Sequence, residues 1–419
     1  MSQEHQEEHQ EDVHGEEFPD AIEEGQGGAV IDYNLDNQVY PVGEEYVSMR
    51  TLLEWFTSKE HMQGNMSRMS DFHLKVGRPV SYRYDDDIES VPGGEPLTQE
   101  QIEGLIFPLL SEKNRMLLQG GEVKDVDCGF SWVEKGANFR INLFHDRDGL
   151  AMVMRLLSGH IPNVSEIGFP NDQVWEDIVE MKQGLCVITG VTGSGKSTTI
   201  ASLIEYINRH RKVRIITLED PIEYVFESKE SMISQREVGN DVDSFSHGLR
   251  SALRENPDII FIGEMRDQET AGMALTAAET GHLVFSTLHT RDTRGAISRI
   301  IDMFPEGQAK GLALQLSFSI GAIISQKLIA KEDGQGRCVA MEILRNTSGL
   351  GNVIRTMNLA QVYSMLETQK KAGMQTMEQH LVDLFAAGII SRDNAQNYAN
   401  DHSILDQLKE YEEEEEEEY

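Results

Sequence analysis

Glycine, hydroxyl and lysine side chains crowd into nine consecutive positions: Gly190, Val191, Thr192, Gly193, Ser194, Gly195, Lys196, Ser197 and Thr198. This is the G-x-x-x-x-G-K-[ST] arrangement, and its chemistry is phosphate binding. Glycines let successive backbone N–H groups turn toward β- and γ-phosphate oxygens, and a helix starting near Lys196 aims its positive end at the same anion. Lys196 adds a point charge. Ser197 offers a hydroxyl to Mg²⁺, whose other ligands would be phosphate oxygens, water and acidic groups. A triphosphate site needs those acids, and two stretches supply them. Thr217-Leu218-Glu219-Asp220-Pro221 follows an apolar run, and Ile259-Ile260-Phe261-Ile262-Gly263-Glu264 is an apolar run ending in an acid. Glu219 or Glu264 could activate water, and the other would organise the metal shell through water.

These groups must be held by strands and helices. Runs at 185–189, 213–218, 259–262 and 283–287 are short, rich in Ile, Leu and Val, and separated by segments long enough for crossover helices. That pattern predicts a parallel sheet buried on both faces, with the phosphate loop and both acids at its carboxyl edge. Strands at 323–330 and 337–344 flank a charged turn, and 349–399 reads as helical. Upstream, the spacing predicts a helix over 49–56, strands at 71–76 and 79–84, a helix opened by Thr98 and disturbed by Pro108, then strands at 123–132, 138–145 and 150–157. This is a small α+β layer, of the kind seen in PAS-like domains. The expected fold is α/β: a PAS-like domain at 48–157, a Pro- and Gly-bearing hinge at 158–172, a P-loop core at 173–346 and a helical subdomain at 347–402.

Outside these lie an acidic arm and connector (1–47) and an acidic tail (403–419). The arm carries ten acidic residues in its first 25 and the tail holds seven consecutive glutamates at 412–418, so both are expected to stay solvated. Residues 1–25 and the tail together account for about half of the net charge of −34. The remaining body is still acidic, which disfavours nucleic acid as a partner. Cys128, Cys186 and Cys338 are isolated in sequence and indicate core thiols in a reduced compartment. No apolar stretch is long enough to span a bilayer, and the N-terminus is unlike a secretory signal, so a cytoplasmic location is expected.

The ordered series GVTGSGKSTT, TLEDPIEYVF, NPDIIFIGEMRD, ALTAAETGHLVFSTLHT and SRIIDMFP resembles the secretion ATPases, and within them the PilT family of type IV pilus retraction ATPases. Stretches at Ser70–His73, Phe139–Phe144 and Gly373–Leu381 extend the likeness over 48–402. The resemblance implies a PAS-like domain hinged to a RecA-like ATPase domain, a hexameric ring, ATP and Mg²⁺ as ligands, and docking on an inner-membrane pilus platform protein at the cytoplasmic face. It assigns Gly190–Ser197 to the Walker A box, Glu219 and Asp220 to the Asp box with Glu219 as general base, Glu264 to Walker B, and His282 and His289 to the His box, where an imidazole could sense the γ-phosphate or couple neighbouring sites. It also points to Arg140 and Arg155 as arginines that domain closure would bring over the phosphates. Arg250 and Arg254 are weaker candidates for a subunit contact. Only Cys338 falls where extension and type II secretion ATPases carry a four-cysteine zinc insertion, which favours retraction. Val191 replaces a common proline, and 349–355 only partly follows the family's AIRNLIRE stretch. A second, PilU-type retraction ATPase therefore stays open, as partner or as alternative.

Overall fold

The computed structural model describes residues 34–401 except 59–60, 64–65, 68, 85–86, 158–159 and 335, together with Ile404 and Leu408. The acidic arm up to residue 33 and the glutamate run lie outside the described residues.

Alternating burial organises the N-terminal domain. Strands β1 (Met69–Lys75), β2 (Ser81–Tyr84), β3 (Asp87–Ser90), β4 (Asp125–Trp132), β5 (Ala137–Asp146) and β6 (Gly149–Leu157) form an antiparallel sheet in the order β3-β2-β1-β6-β5-β4. In β5, Phe139, Ile141 and Leu143 point into the core while Asn138, Arg140 and Asn142 do not, the period of two that a half-covered sheet requires. Helices α1 (Met49–Phe56) and α2 (Gln99–Ile106) cover the inner face with Leu52, Leu53, Phe56, Ile102 and Leu105. Ser48 caps α1, Thr98 and Gln101 make a reciprocal capping box on α2, and Pro108 confines the continuation to one 3-10 turn.

Three expectations are corrected here. Residues 40–47, read as connector, form a hairpin whose Tyr40 is fully buried and accepts a hydrogen bond from the Val80 N–H. The sequence reading also missed β3, an exposed edge strand with no apolar alternation, and helix α3 (Glu112–Gln119), which buries only Leu118.

Past helix α4 (Asp172–Glu180) comes the second sheet. Its strands β7 (Gly184–Thr189), β8 (Arg214–Glu219), β9 (Met232–Glu237), β10 (Ile259–Ile262), β11 (Leu283–Leu288), β12 (Ile320–Ala330) and β13 (Arg337–Arg345) run in the order β9-β8-β10-β11-β7-β12-β13. All neighbours are parallel except β12 and β13. Successive side chains of β7 enter opposite layers: Cys186 and Ile188 join α4 and α5 (Lys196–His210), while Leu185 and Val187 join α6 (Phe245–Ala252), α7 (Gln268–Glu279), α8 (Thr293–Asp302) and α9 (Ala309–Ser319). β9 was not expected from sequence; it is an edge strand of Ser, Gln and Arg with partial burial, so it lacks the apolar signature of its neighbours.

The helical segment expected at 347–402 divides in two. Helices α10 (Ser348–Arg355) and α11 (Val362–Thr368) pack into the main core through Leu350, Ile354, Val362 and Leu366. Helices α12 (Met377–Ala386) and α13 (Arg392–Tyr398) instead form a small cluster with Ile329 and Ala340 of β12 and β13. Beneath it lies a polar seam. Lys327 Nζ donates to Tyr398 O (2.6 Å) and Asn400 Oδ1 (2.5 Å), and Glu378 Oε1 accepts from the N–H groups of Asn400 (2.7 Å) and Asp401 (2.9 Å). Burial lowers the Lys327 pKa.

Candidate active site

The carboxyl ends of β7, β8, β10 and β11 open on a cleft of about 600 Å³, the position where a doubly wound sheet binds its ligand. The phosphate loop forms its floor. Gly190, Gly193 and Gly195 have φ of 145°, 79° and 87°, conformations that favour glycine. A Cβ at Gly190 would lie 2.5 Å from Gln326 O. Gly195 caps α5 without a side-chain bond, so the first-turn N–H groups remain available to an anion.

Lys196, 9% exposed, donates to the carbonyls of Gly190 (3.0 Å) and Val191 (3.2 Å), and burial lowers its pKa against the attraction of Glu264 and Glu223. Ser194 Oγ is buried without a hydrogen-bond partner. Lys196 lines the cleft, where an anion would satisfy its ammonium. Thr192, Gly193, Ser197 and Thr198 line the cleft, with Thr198 Oγ1 2.8 Å from the Tyr224 hydroxyl, while Val191 faces solvent.

Both acids reach the same cleft. Glu219 ends β8 and is 5% exposed; its Oε1 accepts from Thr217 Oγ1 (2.6 Å) and Gln235 Nε2 (3.1 Å), and its Oε2 accepts a long bond from the Glu223 N–H (3.4 Å). Burial outweighs these three donors and pushes its pKa up to about 7. Glu264 is more open. Its Oε2 accepts from Arg266 Nε (2.8 Å), its Oε1 lies 3.4 Å from His289 Nε2, and Arg266 also reaches Asp220 at 3.6 Å.

The two histidines are separated. His289 follows β11 into the cleft, whereas His282 precedes the strand, where its Nδ1 lies 3.0 Å from Ala277 O. Six residues of extended chain put roughly 20 Å between them. Of the two His-box residues, His289 lines this cleft and His282 does not.

Arg140 and Arg155 line the opposite wall from β5 and β6 of the N-terminal domain. Arg155 Nε donates to buried Asp71 at 2.7 Å, and Arg140 lies 3.9 Å from Asp127. Arg250 pairs with Glu269 at 2.6 Å away from the cleft, and Arg254 is exposed.

Two features of the cleft were not expected. Gln326 Nε2 donates to Ser194 O (2.7 Å) while its Oε1 accepts from Thr199 Oγ1 (3.0 Å), so β12 clamps the phosphate loop to α5. Arg337 joins Arg140, Arg155 and Arg266 in lining the cleft. Neither belongs to a contiguous motif; the sequence signal for Gln326 is a polar Ser-Gln-Lys step inside a strand that is apolar on either side.

The family model described as type II/IV secretion system protein matches residues 125–397. The type IV pilus retraction ATPase PilT of Pseudomonas aeruginosa is 43% identical over 330 residues, which cover 79% of this chain and 94% of that protein. The chain belongs to the PilT family of secretion ATPases. The type IV pilus ATPase PilU of the same organism is 34% identical, over 80% of this chain and 86% of its own. A crystal structure of the pilus retraction motor PilT with bound ADP matches with a TM-score of 0.74 at 44% identity, covering 81% of this chain and 95% of that one. As a PilT-family protein the chain is a nucleotide-binding ATPase, with the α+β domain followed by a P-loop domain that its motifs led us to expect. Among the described residues no helix is long and apolar enough to cross a membrane.

Proposed function

We propose that this chain is the ATP-hydrolysing motor of type IV pilus retraction, working as a homo-hexameric ring. It acts at the cytoplasmic face of the inner membrane, where it docks on an integral-membrane platform protein and has no other hold on the bilayer. The carrying observation is the cleft itself, with a phosphate loop and two acids on one wall and two arginines from another domain on the other.

Each residue then has a task. The loop amides from Gly190 to Thr198 and the Lys196 ammonium hold the phosphates. Ser197 and, through water, Glu264 would hold Mg²⁺, which when bound neutralises phosphate charge. Glu219 Oε2, whose single donor is distant, takes a proton from water as the water oxygen bonds to the γ-phosphorus and the bond to ADP breaks. A carboxyl with a pKa of about 7 is matched to that work at neutral pH. His289, beside Glu264, is placed to report whether the γ-phosphate is present. Arg140 and Arg155 stabilise charge in the transition state and tie the reaction to closure of the domains. His282, remote from its own cleft, keeps only the role of a contact between subunits.

Gene deletion scored for surface pili tests the reading. Excess pili that fail to retract are expected; bald cells would indicate extension instead. The partial match at 349–355 favours one second reading, an accessory PilU-type ATPase. In that case deletion leaves retraction intact while a second retraction ATPase is present.

A further inference from the structure

The two domains touch at the end of β9. Its last residue, Glu237, is 5% exposed, and its two oxygens face different parts of the molecule. Oε1 accepts from the Gly129 N–H in β4 of the N-terminal domain at 3.1 Å and also from Asn240 Nδ2. Oε2 accepts from the Ile222 N–H at 3.1 Å, in the loop that leaves Glu219. Glu237 is also bound to Glu219 through the backbone: the two are register partners across β8 and β9, and the Val238 N–H donates to Glu219 O at 2.8 Å. Lys113 Nζ of α3 donates to Gly239 O at 3.1 Å beside the same junction.

One buried carboxylate therefore binds an amide from the domain that carries Arg140 and an amide from the loop that carries Glu219. The fit depends on glycine at 129, because a Cβ there would come 2.7 Å from Glu237 Oε2. The Gly129 backbone is outside the left-handed region, so alanine strains only this junction.

We propose that Glu237 is a positioning residue for hydrolysis, linking the docked orientation of the N-terminal domain to the alignment of the Glu219 loop. When Gly129 departs, Oε1 loses its interdomain donor and the carboxylate is free to turn, carrying Ile222 with it. The base is then aligned only in the docked state. The inference rests on the reading of Glu219 as general base.

The test uses the full chain and three measurements on each variant: steady-state ATP turnover, nucleotide affinity and thermal midpoint. Glu237→Gln keeps the shape but sets an amide N–H₂ against one of the two backbone donors. Gly129→Ala pushes on the same contact from the other domain. Each is expected to lower kcat by about tenfold with KM and affinity close to wild type, and to lower the thermal midpoint by amounts that do not rank with the loss of kcat. The double variant should lose no more than the worse single one, because both act through one contact. Wild-type kcat in Glu237→Gln, losses that multiply in the double variant, or losses that track melting in both singles would overturn the proposal. Glu219→Gln separates the two levels of argument. If it retains turnover, the base assignment fails and the proposal with it; if it is inactive while Glu237→Gln is normal, only the proposal fails.

Discussion

The two walls of the cleft are built on opposite principles. On the phosphate-loop side, Lys196, Ser194 and Glu219 are all below 10% exposed, and Gln326 locks the loop to its helix. On the N-terminal side, the Arg155 side chain is 64% exposed and the Arg140 side chain 43%, each beside a single carboxylate. One wall is organised in advance; the other, on the proposed reading, is brought to bear by closure of the domains. This is the division a motor requires, because a site complete at all times would hydrolyse ATP without needing domain movement.

Breaking the fixed wall should have the largest effect. Lys196→Ala is expected to lower phosphate release by about a thousandfold or more, with the domain still folded by melting. Glu219→Gln should cost on the order of a hundredfold to ten-thousandfold in kcat. It carries a second signature. The folded-state pKa of Glu219 lies above its ordinary value, so the folded chain binds the extra proton and loses stability as pH rises toward and through about 7. The glutamine variant escapes that loss and should be more stable than wild type at pH 8, by about 1–3 kcal/mol in denaturant titration, with the difference shrinking near pH 5. In the wild type, kcat should climb with pH through the same region as the base ionises.

The exposed wall should answer differently. Arg155→Ala is expected to lower kcat by about tenfold to a hundredfold, with a modest fall in melting temperature because buried Asp71 loses this donor. If its loss costs stability and leaves turnover intact, the contrast between the walls is wrong. The smallest effect belongs to the clamp. Gln326→Ala leaves the Ser194 carbonyl and the Thr199 hydroxyl without this partner, which should cost about 1–3 kcal/mol of stability and raise KM a few-fold.

What could be read in the sequence was whatever lies in one short stretch. The phosphate loop, Glu219, Glu264 and His289 each sit at the end of a contiguous apolar strand, so strand and chemistry arrive in one window. Gln326 and Glu237 did not appear, because their partners lie 132 and 108 residues away and only the folded sheet brings them together. β9 and β3 escaped notice as edge strands lacking an apolar face. That His282 would lie outside this cleft was not legible from the motif alone, because it takes the strand geometry to see that seven positions of extended chain carry a side chain from one rim of the sheet to the other.

Neighbouring residues on one strand face opposite ways, and at 326 and 327 of β12 this has a practical result. The first grips the phosphate loop; the second is held by the chain just after α13. Trimming the protein ahead of residue 377 would take away these acceptors and uncover Ile329 on the very strand that steadies the nucleotide floor. Shortened versions made to remove the C-terminal helices should therefore fail in ATP binding for reasons unrelated to any partner those helices touch.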